Sequence, residues 1–134
     1  MTYLLDTHYM LWAVADTRKI SRKIKDVIIN PANHIIVSAI SFWEVSLKTS
    51  VGKLHISGFS PEDLPTACLQ MGFVIEDLAA ETCSTYHLLQ PAYHKDPFDR
   101  MLIWMAIKHG YMLISADENV KKYTSEGLKI FTGK

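Results

Sequence analysis

"TYLLDTHYMLWAV", residues 2–14, is an apolar run closed by a carboxylate and followed at once by apolar residues at helical spacing. That order predicts a buried strand feeding directly into a helix, with Asp6 at the strand's C-terminal end. Downstream, Ser21 is an expected N-cap for "RKIKDVII" (22–29), and "NPAN" (30–33) ends that helix. "HIIVSAI" (34–40) supplies the next strand and "SFWEVSLKTSVGKL" (41–54) the next helix, opened by a Ser41–Glu44 capping box and closed near Gly52. Glu44 is therefore expected in a first turn. "SPEDLPTACLQM" (60–71) has a Ser-Pro helix start disturbed by Pro65, "GFVIEDL" (72–78) reads as a short strand, and "AAETCSTYHLLQPAY" (79–93) as a helix stopped at Pro91. In "HKDPFDRM" (94–101), Asp96 is the natural N-cap, Pro97 the N1 residue and Asp99 the N3 residue of a helix ending at Gly110. "YMLISAD" (111–117) is a strand that again ends at an acid, and "GLKIFTG" (127–133) a last short strand. Strands alternating with helices define an α/β layer fold with a mostly parallel central sheet, because parallel neighbours need crossover connections.

The 134 residues suit one domain, 1–134, large enough to bury a core without disulfides or structural metal. At 49% hydrophobic and 21% charged, the chain has globular composition, and it lacks the ~20-residue apolar run a membrane span requires. The apolar start carries Asp6 and His8 and lacks a basic leading segment, so a cytoplasmic location is expected. Cys68 and Cys83, in helical segments and without C-x-x-C spacing, read as buried thiols. Fourteen basic residues balance fourteen acidic ones, so any nucleic-acid contact must be local, as in "RKISRKIK" (18–25), unless such runs are only solvated helix faces.

In a parallel sheet the strand C-termini share an edge with the N-termini of the following helices, and ligands bind there. That rule brings Asp6, Glu44, Asp99 and Asp117 to one edge. Each has a structural explanation as a cap, but Asp6 and Asp117 follow separate strands, and capping does not explain their convergence. Carboxylates gathered against an apolar core repel one another and resist ionisation unless a cation joins them. Oxygen donors select Mg²⁺ or Mn²⁺, and such an ion suits phosphodiester hydrolysis. Salt bridges are the competing remedy: Arg100 and Lys95 lie beside Asp99, and Lys48 lies one turn after Glu44. The histidines show no zinc spacing, "TSVGKL" lacks the remainder of a P-loop, and the aromatic residues of "SFWEV" and "LIWMA" read as core packing.

"LLDTHYMLW", "VSAISFWEVSLKTSVGKL", "HKDPFDRMLIWMAIKHG" and "LISADENVKKY", in this order and covering essentially the whole chain, resemble the PIN domain, in particular the VapC-like toxins of toxin–antitoxin pairs. The resemblance implies an α/β/α sandwich and a Mg²⁺- or Mn²⁺-dependent endoribonuclease acting on RNA. It also implies a homodimer and a VapB-like antitoxin that lays part of its chain into the active-site groove. It assigns metal binding to Asp6, Glu44, Asp99 and Asp117, and places the small hydroxyls of Thr7 and Ser115 beside the first and fourth acids. A haloacid-dehalogenase-like phosphatase would need a second Asp where His8 stands. A non-enzymatic reading of the same acids is a receiver-like phosphoacceptor, or a binding module in which they only cap helices.

Overall fold

The computed structural model describes residues 1–133. Five strands form one all-parallel sheet in the order β3-β2-β1-β4-β5: β1 (Thr2–Leu5), β2 (His34–Ser38), β3 (Val74–Glu76), β4 (Met112–Ile114) and β5 (Lys129–Phe131). Successive strand side chains face opposite ways, so each central strand feeds two cores. Tyr3, Leu5, Ile35, Val37 and Ile114 enter one; Leu4, Ile36 and Leu113 enter the other.

Helices α1 (Thr7–Ala15), α2 (Arg22–Ile29) and α4 (Leu64–Gln70) cover the first core with Met10, Ala13, Ile24, Leu64 and Cys68. Helix α6 (Pro97–His109), the short α7 (Glu118–Lys121) and the 3-10 turn after it cover the second with Leu102, Ile103, Met105, Ala106, Val120 and Tyr123. Helix α3 (Ala39–Ser50) serves both, through Ile40 and Val45. The result is the expected α/β/α sandwich. The chain steps outward from β1 to β2 and β3, then returns to lay β4 on the other side of β1. That reversal opens a crevice beyond the ends of β1 and β4, which Asp6 and Asp117 follow.

Helix α6 starts as its sequence dictates. Asp96 Oδ1 accepts from the amides of Phe98 at 2.8 Å and Asp99 at 3.2 Å, Pro97 needs no partner at N1, and Gly110 closes the helix at φ 71°. The helix predicted to run to Pro91 is shorter: α5 (Ala80–Thr85) passes into a 3-10 turn at Tyr86–Leu88.

Three expectations are corrected. Helix α3 begins at Ala39, capped by Ser38, whose hydroxyl accepts from the Ile40 amide at 3.1 Å. No Ser41–Glu44 capping box forms, because Ser38 already serves the helix start, and Glu44 lies beyond the first turn. Cys68 is buried, and burial pushes its thiol up to about 11, but Cys83 is exposed because α5 turns Thr82 inward instead. Trp43 is 59% exposed, since α3 spends its inward positions on Ile40, Ser41, Glu44 and Val45; its ring packs edge-on against Phe98 at 5.3 Å.

Candidate active site

Asp6 stands at the junction of β1 and α1. Its amide donates to the Ile114 carbonyl at 3.1 Å, continuing the β1–β4 pairing, while its Oδ1 accepts from the Tyr9 amide at 2.9 Å and caps α1. The residue is only 7% exposed, and the nearby Ser115 hydroxyl favours its charged form. Glu44 is 3% exposed; its Oε1 accepts from Thr7 Oγ1 at 2.6 Å and its Oε2 pairs with Lys48. Thr7 also shares a 2.9 Å hydrogen bond with Ser41 Oγ. Thus Thr7, on α1, holds an acid borne by α3. Lys48 is the salt-bridge partner that its spacing from Glu44 predicts.

Asp99 faces the same edge from the mouth of α6, half-buried, within electrostatic reach of Asp6, Glu44 and Asp96. Asp117 caps α7 by accepting from the Asn119 amide at 2.8 Å, and its own amide donates to Ser115 Oγ at 3.3 Å. Between Asp99 and Asp117 lies a residue that the sequence motifs do not assign to the site. His94 Nε2 is 3.1 Å from Asp99 Oδ2 and 3.0 Å from Asp117 Oδ2. The missing zinc spacing says nothing against this arrangement, since its partners are the acids. The available sequence signal is its place two residues ahead of the Asp96 cap.

Arg100 does not pair with Asp99. Its guanidinium donates instead to Tyr86 Oη, the carbonyls of Leu89, Pro91 and His94, and Tyr123 Oη. Neighbouring helical residues point about 100° apart, so α6 aims Asp99 at the crevice and Arg100 at the preceding loop. Lys95 is exposed.

The electrostatics follow from this crowding. Burial pushes Asp99 up to about 6; the Asp96, Glu44 and Asp6 charges add to the rise and His94 opposes it. Burial also raises Asp6, outweighing the Tyr9 amide, the Ser115 hydroxyl and His8, and the Glu44 charge adds to the effect. At Asp117 burial is overcome by the Asn119 amide and the His94 ring, and its carboxyl lies below its ordinary value. Lys48 is raised: burial opposes its charge, but Glu44, Asp96 and Asp99 outweigh it.

The carboxylate donors fit a hard divalent cation, and the raised acids would be relieved by one. The sign follows from the direction of the Asp99 shift. Without a cation, the protein loses nothing to this carboxyl below its ordinary value near 3.8 and is progressively destabilised as pH rises through about 6. A cation requires the ionised form, so Mn²⁺ affinity should rise with pH through that window. Binding at pH 6 should release roughly half a proton from Asp99. Calorimetry in buffers of different ionisation enthalpy measures both; an affinity that is flat between pH 5 and 7.5 would contradict the assignment.

The parallel α/β/α sandwich gathers acids from beyond the ends of β1 and β4, from the second turn of α3 and from the start of α6, a set of oxygen donors suited to a hard divalent cation. The model of the PIN domain family matches residues 3–126, and the chain belongs to that family. Ribonuclease VapC22 of Mycobacterium tuberculosis is 24% identical over 122 residues, which span 91% of this chain and 92% of that protein. Among solved structures, VapBC2 from Rickettsia felis bound to a DNA fragment from its promoter aligns with a TM-score of 0.66 at 18% identity, covering 98% of both chains. DNA-bound VapBC from Salmonella typhimurium aligns at 0.67 and 13% identity, over 100% of this chain and 99% of that one.

Proposed function

We propose that this PIN domain is the toxin of a toxin–antitoxin pair, an endoribonuclease in which Asp6, Glu44, Asp99 and Asp117 hold Mg²⁺ or Mn²⁺. The observation that carries the reading is the set of buried and half-buried carboxylates at the switch point, which Lys48 and His94 only partly compensate. When bound, such an ion supplies an activated water and neutralises charge on the phosphate oxygens. The chain's own part is to hold the acids. Thr7 and Lys48 orient Glu44, the Tyr9 amide orients Asp6, and the α6 N-terminus directs Asp99.

A local surface supports RNA as the substrate despite the balanced net charge. His8, Leu11 and Leu54 line both a small cavity beside Thr7, Glu44 and Lys48 and a larger one of about 470 Å³ that includes Trp12, Arg18, Lys19 and His55. Lys19 Nζ lies 5.9 Å from the Trp12 ring centre. Arg18 is paired with Asp16 of the same cavity at 3.0 Å, but Lys19 beside the Trp12 ring, in a cavity adjoining the one that Glu44 lines, suits a single-stranded polyanion. Relatives solved as toxin–antitoxin complexes support a VapB-like antitoxin as the partner. The reading includes a homodimer, which light scattering of the purified chain tests, and action in the cytoplasm. Among the described residues no helix is long and apolar enough to cross a membrane.

The purified chain should cleave single-stranded RNA with Mn²⁺ or Mg²⁺, stop on addition of EDTA, and resume when Mn²⁺ is restored in excess. Metal-independent cleavage, or none across cellular transfer, ribosomal and messenger RNA, would overturn the proposal. Sequencing fragment 5′ ends identifies the target.

A further inference from the structure

His94 Nε2, Asp99 and Asp117 offer ligand atoms all within 4.8 Å of one another, a spacing at which the imidazole would ordinarily be counted as a metal ligand. The other ring nitrogen argues otherwise. His94 Nδ1 lies 3.2 Å from the backbone N of Asp96, and that amide can only donate, so Nδ1 must present its lone pair. A neutral imidazole with an accepting Nδ1 carries its proton on Nε2, and the tautomer follows from these partners. The nitrogen that faces Asp99 and Asp117 is therefore an N–H.

We propose that His94 is a positioning residue: it donates Nε2–H to Asp117 Oδ2, keeps that nitrogen 3.1 Å from Asp99 Oδ2, and does not bind the metal, whose donors remain carboxylate oxygens. The inference rests on the metal reading above and deepens it. The ring cannot readily turn over to offer Nε2. Its own backbone amide donates to Tyr123 Oη at 3.2 Å, its carbonyl accepts from Arg100 at 3.4 Å, and its side chain is only 14% exposed. Turning the ring would also leave the Asp96 amide without its acceptor, beside a helix start whose other free amides already use the Asp96 carboxylate. The Nε2–H bond to Asp117 Oδ2, at 3.0 Å, holds that acid, the most exposed of the four, beside Asp99, whose Oδ2 lies 3.1 Å from the same nitrogen. The consequence is selectivity. An all-oxygen donor set favours Mg²⁺ and Mn²⁺, whereas an imidazole in the set would favour Zn²⁺.

Two measurements test this on the full chain. Long-range ¹H–¹⁵N correlation of the labelled wild-type protein, with His94 assigned by its absence from His94→Gln, should show the Nε2–H tautomer both without metal and saturated with Mg²⁺. Conversion on Mg²⁺ addition to the tautomer with an unprotonated Nε2 would overturn the proposal. By calorimetry, His94→Gln should bind Mn²⁺ within about threefold of wild type, since its amide nitrogen can donate to the same oxygens. His94→Ala should bind about tenfold more weakly or worse, in the range seen when a group orienting a ligand is lost. Wild-type affinity in a folded Ala variant, or a Gln variant as weak as Ala, would overturn it. Should the Ala variant fail to fold, the tautomer and the Gln affinity still decide. A wild-type chain that binds no Mn²⁺ would instead overturn the metal reading itself, and this inference with it.

Discussion

Asp99→Asn should lower metal-dependent RNA cleavage by at least about 10²-fold, while Asp96→Asn should stay within a few-fold of wild type. The two acids stand three residues apart in one helical turn, yet they do different work. The Asp96 side chain accepts the Phe98 and Asp99 amides, and an asparagine oxygen caps a helix nearly as well. The Asp96 amide that holds the His94 ring is backbone and survives the change. Asp96 is also one of the charges that push Asp99 up, so Asp96→Asn should leave Asp99 easier to ionise. Asp99 itself has no capping duty. Its carboxylate is half-buried beside Asp96, Glu44 and Asp6, an arrangement that stability alone would select against. An amide there relieves the repulsion, so metal-free Asp99→Asn should melt no lower than wild type while losing Mn²⁺ affinity and activity. Cleavage and thermal melting of both variants check the pair. Equal losses from both would place Asp96 among the metal ligands.

The parts of this site legible in the sequence are those fixed by local signals. Asp6 ends a strand, Asp117 ends another, and Asp99 sits at N3 behind a Pro at N1, so topology alone brings them to one edge. Glu44 is legible as a member but for the wrong reason. Ser38, at the end of what reads as strand, caps α3 three residues before the expected Ser41, and Glu44 is recruited by Thr7 and Lys48 from deeper in the helix. Helix phase decides the other misses: which side of α3 or α5 faces inward determines that Trp43 and Cys83 are exposed. His94 offers local reading only its place two residues ahead of Asp96, because its position depends on an irregular loop held from a distance.

That holding makes Arg100 the second large effect. Arg100→Lys should destabilise the protein by about 2–4 kcal/mol, roughly 10 °C in melting temperature for a chain of this size, and weaken Mn²⁺ binding by about tenfold. The guanidinium spans five acceptors: Tyr86 Oη at 2.8 Å, the carbonyls of Leu89 and Pro91 at 2.6 Å each, Tyr123 Oη at 2.7 Å and the His94 carbonyl at 3.4 Å. It also lies against the rings of Tyr86 and Tyr123, at 5.3 and 6.0 Å. A lysine ammonium keeps the charge but offers fewer, non-planar donors and cannot reach the same set, so several carbonyls around a fully buried Tyr123 would lose partners. The loop these bonds fasten carries His94, so its release should also loosen the clamp on Asp99 and Asp117. The two effects separate in measurement. Melting reads the loop, and Mn²⁺ calorimetry well below the melting point reads the site. An Arg100→Lys protein that melts lower but binds Mn²⁺ as wild type would show that the loop is fastened independently of the carboxylates. Coupled losses would mean that Arg100 supports Asp99 through the chain around His94, in place of the direct salt bridge its sequence position suggests.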